Sequence, residues 1–258
     1  MKEQNRFAAP APEENEGQLE GRNALTEALR SGRTIDKVFI ANGETDRGLQ
    51  RLAAEAKQAG AVIVPVDRRK LDAMSLTHAH QGVIALAAAH TYCSIDDILE
   101  EAARRNQPPL IVICDELSDP HNLGAILRSA ECAGAHGVII PKRRSVGLTA
   151  VVAKASAGAI EYMKVARVTN LTAAITELKE KGVWIFGTAA EGSVPMYQAD
   201  LSGPAAIVIG SEGDGMSRLV SKSCDVTMHI PMQGRISSLN ASAAASILLY
   251  EALRQRLQ

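Results

Sequence analysis

Aromatic residues and patterned cysteines are scarce in this 258-residue sequence. Phe, Trp and Tyr make up only 3% of the chain, whereas hydrophobic residues as a whole reach 46%, so the core must be largely aliphatic. The four cysteines show no C-x-x-C pair and no zinc-ligand spacing; they are Cys93, Cys114, Cys132 and Cys224. This pattern disfavours a metal centre and a disulfide framework, and it predicts buried thiols in a reducing compartment.

Long apolar runs are also absent from the sequence. No run approaches the ~20 residues that span a bilayer, and the charged, proline-rich first residues lack the apolar segment of a signal peptide. We therefore expect a cytoplasmic protein with no membrane partner. His78 and His80 have no third ligand nearby in sequence, so a loop is predicted there and no metal site is expected.

Common cofactor and hydrolase signatures are missing as well. The sequence has no P-loop, no H-E-x-x-H and no G-x-S-x-G, and glycines 210, 213 and 215 form G-x-x-G-x-G, which is not the dinucleotide fingerprint. A small-molecule α/β enzyme built on a phosphate or dinucleotide loop is therefore disfavoured. The net charge of −1 gives no sign of nucleic acid, but basic clusters occur at 68–70, 104–105 and 142–144. Such clusters either contact phosphate or form solvated faces.

Alternating strand and helix patterns run through almost the whole chain. Residues 1–17 are glutamate- and proline-rich and predict a disordered tail. Residues 18–92 predict a small α/β domain, residues 93–108 a linker that includes a capped helix, and residues 109–258 a larger α/β domain. The strands of the larger domain are apolar throughout, which is typical of a parallel sheet covered on both faces.

The last predicted helix, residues 239–257, has almost no polar face in its first three turns. A helix that is apolar all round must be buried all round. Its apolar positions, Leu248 among them, favour a contact between subunits, and the alternative is a central core helix.

Three polar blocks lie where strands give way to loops or helices, which is where α/β sheets place their sites. In the first, Asp119 and Pro120 are suited to open a helix, with Asn122 in its first turn. Arg128 lies about 240° further round that helix, so the two side chains have separate tasks, and a surface role for Arg128 is an alternative.

Glu212 lies in the second block, where its carboxylate either orients or deprotonates a hydroxyl group or caps the next helix. In the third, Ser238 and Asn240 stand at a helix start, where Ser237 or Ser238 can cap.

The three blocks in this order resemble a known family. The sequences D-P-H-N-L-G-A-I-L-R, G-S-E-G-x-G-M and I-P-M-x-G-x-x-x-S-L-N-x-S are similar to those of the SpoU (TrmH-type) RNA 2′-O-ribose methyltransferases of the SPOUT superfamily. Gly21 to Ala24 and His80 to Ala85 resemble that family's substrate-binding domain, which has an L30e-like fold. Ala241 departs from the valine that relatives often carry, a conservative change. The layout most resembles the bacterial enzymes that methylate a guanosine in the peptidyl-transferase region of 23S rRNA.

The resemblance implies a fold, a cofactor and a partner. The larger domain would be an α/β knot, with a mostly parallel sheet and a C-terminal trefoil knot, preceded by the small L30e-like domain. S-adenosylmethionine would lie in the knot, held at Gly210, Ile230 and Leu239 with Thr188 and Met232 nearby. Family members are homodimers through the knot and the final helix, and their substrate is RNA, with rRNA favoured here.

The resemblance also implies the catalytic set, which is Asn122, Arg128, Glu212, Ser238 and Asn240. The reaction would be attack of a ribose 2′-oxygen on the sulfonium methyl group. Arg128 would bind phosphate and stabilise developing charge, and the proton acceptor is either Arg128 or Glu212. Ser238 and Asn240 would order the ribose and the loop. Methylation of tRNA or of an rRNA adenosine is an alternative within the same class of enzyme. The alternative from a different functional class is an RNA-binding assembly factor without catalytic activity.

Overall fold

The computed structural model describes residues 17–43, 46–213 and 215–258, so the predicted tail lies almost entirely outside the described residues. The described chain divides into two compact units. The first comprises residues up to 91 together with 148–151, and the second comprises 92–147 and 152–258.

The first unit is a four-stranded sheet with helices packed on it. Its elements are β1 (Gln18–Glu20), α1 (Arg22–Arg30), β2 (Ile35–Ala41), α2 (Arg47–Gln58), β3 (Val62–Val66), α3 (Arg68–Met74) and β4 (Val83–Ala87). The strand order is β1-β4-β2-β3, in which β2 and β3 are parallel and the other pairs are antiparallel. Leu25, Val38 and Leu49 lie in its core, which is aliphatic as the composition predicts.

Residues 92–258 supply a seven-stranded sheet and most of the remaining helices. The elements are α4 (Ile95–Arg104), β5 (Leu110–Cys114), α5 (Pro120–Cys132), β6 (Gly137–Pro141), α6 (Ala150–Ala155), β7 (Val165–Val168), α7 (Leu171–Glu180), β8 (Trp184–Thr188), β9 (Val194–Pro195), β10 (Ala205–Ile209), α8 (Arg218–Ser223), β11 (Val226–His229) and α9 (Ala241–Arg256). The strand order is β7-β6-β5-β10-β8-β11-β9, and every neighbouring pair is parallel. All residues of β5 and β10 are buried, so both faces of the sheet are covered there. The predicted α/β class with a mostly parallel sheet is confirmed, while the knot stays a prediction.

The segment predicted as a linker contains a helix that belongs to the core of the second unit. Ser94 and Asp97 form the capping box of α4, each side chain bonding to the other residue's backbone N–H. Ile95 and Ile98 lie in the buried cluster beside the sheet strands. Residues 93–108 are therefore a packed part of the second unit, because the apolar face of α4 finds a partner there.

Two short strands, β1 and β9, were not predicted from the sequence. With three and two residues they are too short to show a period of two, and Pro195 argues against a strand. The thiol prediction is also only partly right, since Cys114 is buried, Cys93 and Cys224 are half-buried and Cys132 is exposed.

The final helix, α9, is buried on one side and exposed on the other. Leu248 and Leu249 are fully buried within the second unit, whereas Ile247 is 37% and Tyr250 52% exposed. The expectation that Leu248 belongs to a subunit contact is therefore wrong, because the unit's own core already surrounds that side chain. The exposed side of α9 is the part that remains available to a partner.

Candidate active site

Three polar side chains from distant parts of the chain meet at the carboxyl end of the sheet. Nδ2 of Asn122 donates to Oε1 of Glu212 at 2.8 Å, and Nδ2 of Asn240 donates to Oδ1 of Asn122 at 2.9 Å. The Asn240 amide also donates to the same Oε1 of Glu212. The meeting follows from the topology, since β5 and β10 are parallel neighbours and their carboxyl ends lie side by side.

Each member of this trio is positioned by its own local structure. Asn122 lies in the first turn of α5, which begins as predicted with Asp119 as N-cap and Pro120 at the first position. The Asp119 side chain accepts a hydrogen bond from the His121 N–H at 3.0 Å. Asn122 is only 6% exposed, and its amide group is committed to the other two side chains.

Glu212 lies on a tight loop that closes directly after β10. The backbone N–H and C=O groups of Ser211 and Gly215 bond to each other in both directions, at 3.0 and 3.1 Å. A Cβ on Gly210 would come within 2.2 Å of the Gly215 backbone, so only glycine fits at that position. The loop is therefore held against the end of β10, and the alternative in which Glu212 caps the next helix is wrong because α8 has Ser217 as its N-cap.

Asn240 serves both the helix and the trio. Its Oδ1 accepts from the backbone N–H groups of Ser242 and Ala243, at 3.0 and 3.2 Å, and so caps α9. The predicted capping by Ser237 or Ser238 is therefore wrong. Because the amide group has an acceptor oxygen and donor hydrogens, one side chain can cap the helix and still donate to Asn122 and Glu212.

Asp115 is a further member of the site that the sequence reasoning did not assign. It is buried, directly after β5, and its carboxylate accepts from the Ser217 N–H at 2.7 Å. This bond ties the β5 loop to the segment that follows the Glu212 loop. The only signal in the sequence was an acidic residue directly after a fully apolar strand.

A cavity of about 380 Å³ opens beside the trio, within the usual size range of small-molecule sites. Its lining includes all five residues predicted to hold a cofactor, which are Thr188, Gly210, Ile230, Met232 and Leu239. Glu212 and Ser238 also line it, so the acidic member of the trio borders the cavity. Thr188 is oriented by its own hydrogen bond, in which its hydroxyl donates to the Val208 carbonyl at 2.7 Å.

Among the predicted catalytic residues, Asn122, Glu212 and Asn240 form the trio and Ser238 lines the cavity, whereas Arg128 does neither. It is exposed, and it is not among the described residues that line the cavity. Six residues along α5 correspond to about 9 Å of rise from Asn122. The neighbouring Ser129 hydroxyl bonds to the Ser246 hydroxyl at 2.7 Å, so this part of α5 lies against α9.

A second cavity, of about 570 Å³, is also bordered by Glu212. Ser211 and Glu212 line both cavities, and Asn122 lines the second. The remaining lining residues come from the loops after β5 and β6; they are Glu116, Leu117, Ser118, Asp119 and Arg144. From the sequence, Arg144 belongs to the basic cluster at 142–144, for which phosphate contact or a solvated face is expected, whereas Glu116 has no predicted role.

Three of the four cysteines, Cys93, Cys114 and Cys224, are poorly suited to nucleophilic chemistry. Burial raises the pKa of the Cys114 thiol to about 12, and burial raises the pKa of Cys93 and of Cys224 to about 11. A thiol is reactive as its thiolate, so these three side chains are inert at neutral pH. In the part of the chain that the structure describes, no helix is long and apolar enough to cross a membrane.

Two protein-family models match this sequence, one over each part of the chain. Residues 109–250 match the model of the SpoU rRNA Methylase family, and residues 18–93 match that of RNA 2′-O ribose methyltransferase substrate binding. The chain belongs to the SpoU family of RNA methyltransferases.

Relatives of known name support the same membership over nearly the full chain. YacO of Bacillus subtilis is 49% identical over 236 residues, which is 92% of this chain and 94% of that protein. A Staphylococcus haemolyticus relative is 47% identical over 239 residues, covering 92% and 95%. Both relatives are named as TrmH family tRNA/rRNA methyltransferases, and these names do not distinguish tRNA from rRNA as the substrate.

Solved SpoU structures share the fold. AviRb of Streptomyces viridochromogenes in complex with AdoMet superposes with a TM-score of 0.60 at 24% identity, over 93% of this chain and 90% of that one. An AdoMet-bound rRNA methyltransferase from Sinorhizobium meliloti gives 0.57 at 25% identity, over 93% and 88%. The closer resemblance to 23S rRNA guanosine enzymes is not decided by these relatives.

Proposed function

We propose that this SpoU family chain transfers the methyl group of S-adenosylmethionine to a ribose 2′-oxygen of RNA, with a guanosine of 23S rRNA as the target. One observation carries the proposal. Asn122, Glu212 and Asn240 bond to one another at the border of a cavity that contains every predicted cofactor residue. Hydrogen-bonding groups beside a largely apolar cavity are what a hydroxyl acceptor and an adenosyl cofactor require.

The cavity suits the cofactor by its shape and its chemistry. Ile230, Met232 and Leu239 provide apolar surface, and Gly210 lets the Gly215 backbone pack closely against the end of β10 in the cavity wall. When bound, S-adenosylmethionine supplies an electrophilic methyl group, so the protein need not activate the donor. The task left to the side chains is to position the ribose and to remove its 2′-proton.

Glu212 is the proton acceptor that the geometry supports. Its carboxylate borders both cavities, and the two amide groups bonded to Oε1 fix its orientation. A guanidinium group gives up its proton only with great difficulty in a protein, so an arginine is a demanding base. We therefore assign Arg128 to phosphate binding and charge stabilisation, and Ser238 and Asn240 to ordering of the ribose and the loop.

Methyl transfer is tested with labelled S-adenosylmethionine and purified rRNA, tRNA and ribosomal precursors, followed by mapping of 2′-O-methyl marks. A mark on a 23S rRNA guanosine is expected. A mark on tRNA or on an adenosine would keep the reaction and change the substrate. RNA binding without any methyl transfer would instead favour the non-catalytic assembly factor.

Arg128→Ala is expected to abolish methyl transfer to RNA while cofactor affinity stays within several-fold, because Arg128 lies away from the described lining of the cofactor cavity. Turnover and calorimetric cofactor binding measure the two effects. Arg30→Ala, which changes an exposed arginine in the first unit, is the matched control. Wild-type turnover in Arg128→Ala would remove Arg128 from the mechanism.

The first unit is proposed as the domain that grips RNA. Its family match concerns substrate binding in RNA 2′-O ribose methyltransferases, and α3 begins with the exposed basic run Arg68, Arg69 and Lys70. Exposed basic side chains contact phosphate without reading sequence. Free cysteines agree with a reducing, cytoplasmic setting for this activity.

A homodimer through the knot and α9 is the assembly we propose. The exposed side of α9 presents Ile247, Tyr250 and, just beyond the helix, Leu257 at 77% exposure. Ile247→Lys is expected to shift the protein towards monomer in sedimentation measurements with little change in melting temperature. Thr176→Lys on the exposed side of α7 is the control, and an unchanged dimer in Ile247→Lys would exclude this face.

A further inference from the structure

The second cavity has a different chemical character from the cofactor cavity. Its lining is rich in hydrogen-bond acceptors, because three carboxylates contribute to it: Glu116, Asp119 and Glu212. Among the described residues that line this cavity, Arg144 is the positively charged one. A phosphate group would be repelled by this concentration of negative charge, whereas a neutral group with several N–H or O–H donors would be favoured.

Glu116 and Arg144, which both line this cavity, form an ion pair. Nη1 of Arg144 donates to Oε1 of Glu116 at 3.0 Å, with the two side chains 80% and 33% exposed. An ion pair this exposed is weak and can exchange partners readily. The pair therefore offers both an acceptor and donors to a ligand edge that presents the opposite pattern.

The backbone of Glu116 and Arg144 is held in a defined arrangement. Glu116 and Arg144 both adopt left-handed conformations, with φ of 57° and 55°, which non-glycine residues seldom do. The loops that carry them are joined by a hydrogen bond from the Val146 N–H to the Leu117 carbonyl at 2.8 Å. The fold thus fixes where the two side chains begin, while their charged ends stay free to adjust to a ligand edge.

We infer that Glu116 and Arg144 read the base of the nucleotide whose ribose lies at Glu212. The inference rests on the proposed function, and it adds specificity-determining residues to it. With the ribose at Glu212, which borders both cavities, the base occupies the second cavity beside the Glu116–Arg144 pair. Enzymes that act on RNA commonly take an unstacked base out of its strand and bond to its edges.

Guanine is the RNA base that matches this pair best. Its Watson–Crick edge offers two adjacent donors, N1–H and the 2-amino group, which suit the Glu116 carboxylate. Its O6 and N7 acceptors suit an arginine. Adenine and cytosine carry an unprotonated ring nitrogen on that edge, where a carboxylate would be repelled, and uracil offers a single N–H.

The experiment uses the full-length protein and a synthetic RNA spanning the mapped methylation site, carrying guanosine, inosine or adenosine at the target position. Inosine lacks only the 2-amino group. Wild type is expected to favour guanosine over inosine by about ten- to a hundredfold in kcat/KM, the range for a good bidentate contact. Glu116→Gln should lower kcat/KM for guanosine by a similar factor and bring the guanosine-to-inosine ratio close to one.

Two controls separate base reading from general effects. Arg143→Gln changes the exposed neighbour of Arg144 and should leave the ratio at the wild-type value. Arg144→Gln should reduce guanosine selectivity over adenosine, with calorimetric cofactor affinity unchanged. Melting temperatures near that of wild type would show that all three variants fold.

Each outcome decides the inference. A guanosine-to-inosine ratio that Glu116→Gln leaves unchanged would overturn it, and so would an Arg144→Gln variant that raises KM equally for every RNA, which is the behaviour of a phosphate contact. If wild type methylates RNA but targets another base, only the base assignment fails. If wild type transfers no methyl group to any RNA, the proposed function fails first.

Discussion

Each of the two units contains a glutamate that joins segments far apart in the chain, but the two carboxylates are used differently. In the first unit, both oxygens of Glu20 accept hydrogen bonds, from Gln18 and from the segment of residues 75–77. In the second unit, both amide donors to Glu212 meet a single oxygen, Oε1, at the border of two cavities.

The difference separates a structural carboxylate from one suited to the catalytic role that we propose for Glu212. Burial raises the pKa of the Glu20 carboxyl, but the hydrogen bonds from Thr77, Leu76, Ser75 and Gln18 outweigh it and lower the pKa to about 2. A carboxylate saturated by donors is a poor base, because protonating it breaks those bonds. Glu212 keeps one oxygen out of the amide contacts, and this is the arrangement expected of a group that must accept a proton.

Glu212→Gln is expected to produce the largest loss of turnover, because it removes the proton acceptor and keeps the side-chain shape. We expect kcat to fall by about 10²- to 10⁴-fold, the usual contribution of general base catalysis. Stability should change by less than about 1 kcal/mol, since the amide oxygen still accepts from Asn122. Single-turnover kinetics and thermal unfolding measure the two, with Glu131→Gln on the exposed side of α5 as control. Near-normal turnover would mean that Glu212 is structural, like Glu20.

Asn240 allows the two kinds of role to be separated within one residue. Serine at this position can still cap α9 but lacks the amide donor to Asn122 and Glu212. Asn240→Ser should therefore lower kcat by about ten- to a hundredfold, from the loss of a hydrogen bond to a charged group, with little change in stability. Asn240→Ala should show the same loss of turnover and also lose about 0.5–2 kcal/mol of stability with the cap. Equal stability of the two variants would argue against the capping role.

Glu20→Gln should have the smallest effect on turnover and act on stability instead. A Gln side chain turns one acceptor into a donor facing the Ser75 and Thr77 donors, so we expect a loss of about 1–3 kcal/mol with kcat unchanged at saturating RNA. Glu27→Gln on the exposed side of α1 is the control. A reduced kcat in properly folded Glu20→Gln would show that the contrast between the two carboxylates is wrong.

The low pKa of Glu20 also predicts how its contribution to the unfolding free energy depends on pH. The folded pKa of Glu20 is about 2, below the usual unfolded value of about 4.3. Its contribution to stability is therefore fully present above about pH 5 and is lost as the pH falls towards 2. The difference in unfolding free energy between wild type and Glu20→Gln should shrink over that range, as measured by urea titrations. A difference that stays constant from pH 6 to pH 3 would contradict the assignment.

Much of the fold was predictable because local patterns were strong. The apolar stretch that became β5 and the Asp119-Pro120 start of α5 gave clear signals, and both elements are present as predicted. The candidate catalytic residues were named through family resemblance, since their spacing alone left capping roles open. Arg144 was noticed only as part of the basic cluster at 142–144 and Glu116 was assigned no role, because a charged residue in a loop looks the same whether it borders a cavity or faces water.

The sequence by itself determined the α/β class, the aliphatic core and the three polar blocks, because helix and strand periods and turn residues act over a few neighbouring positions. Only the tertiary structure decided that Asn122, Glu212 and Asn240 bond to one another across separations of 90, 28 and 118 residues. It also decided that Leu248 lies inside the unit while Ile247 faces outward. Contacts at such distances depend on which strands become neighbours in the sheet, and that order is set by packing of the whole domain rather than by any local stretch of chain.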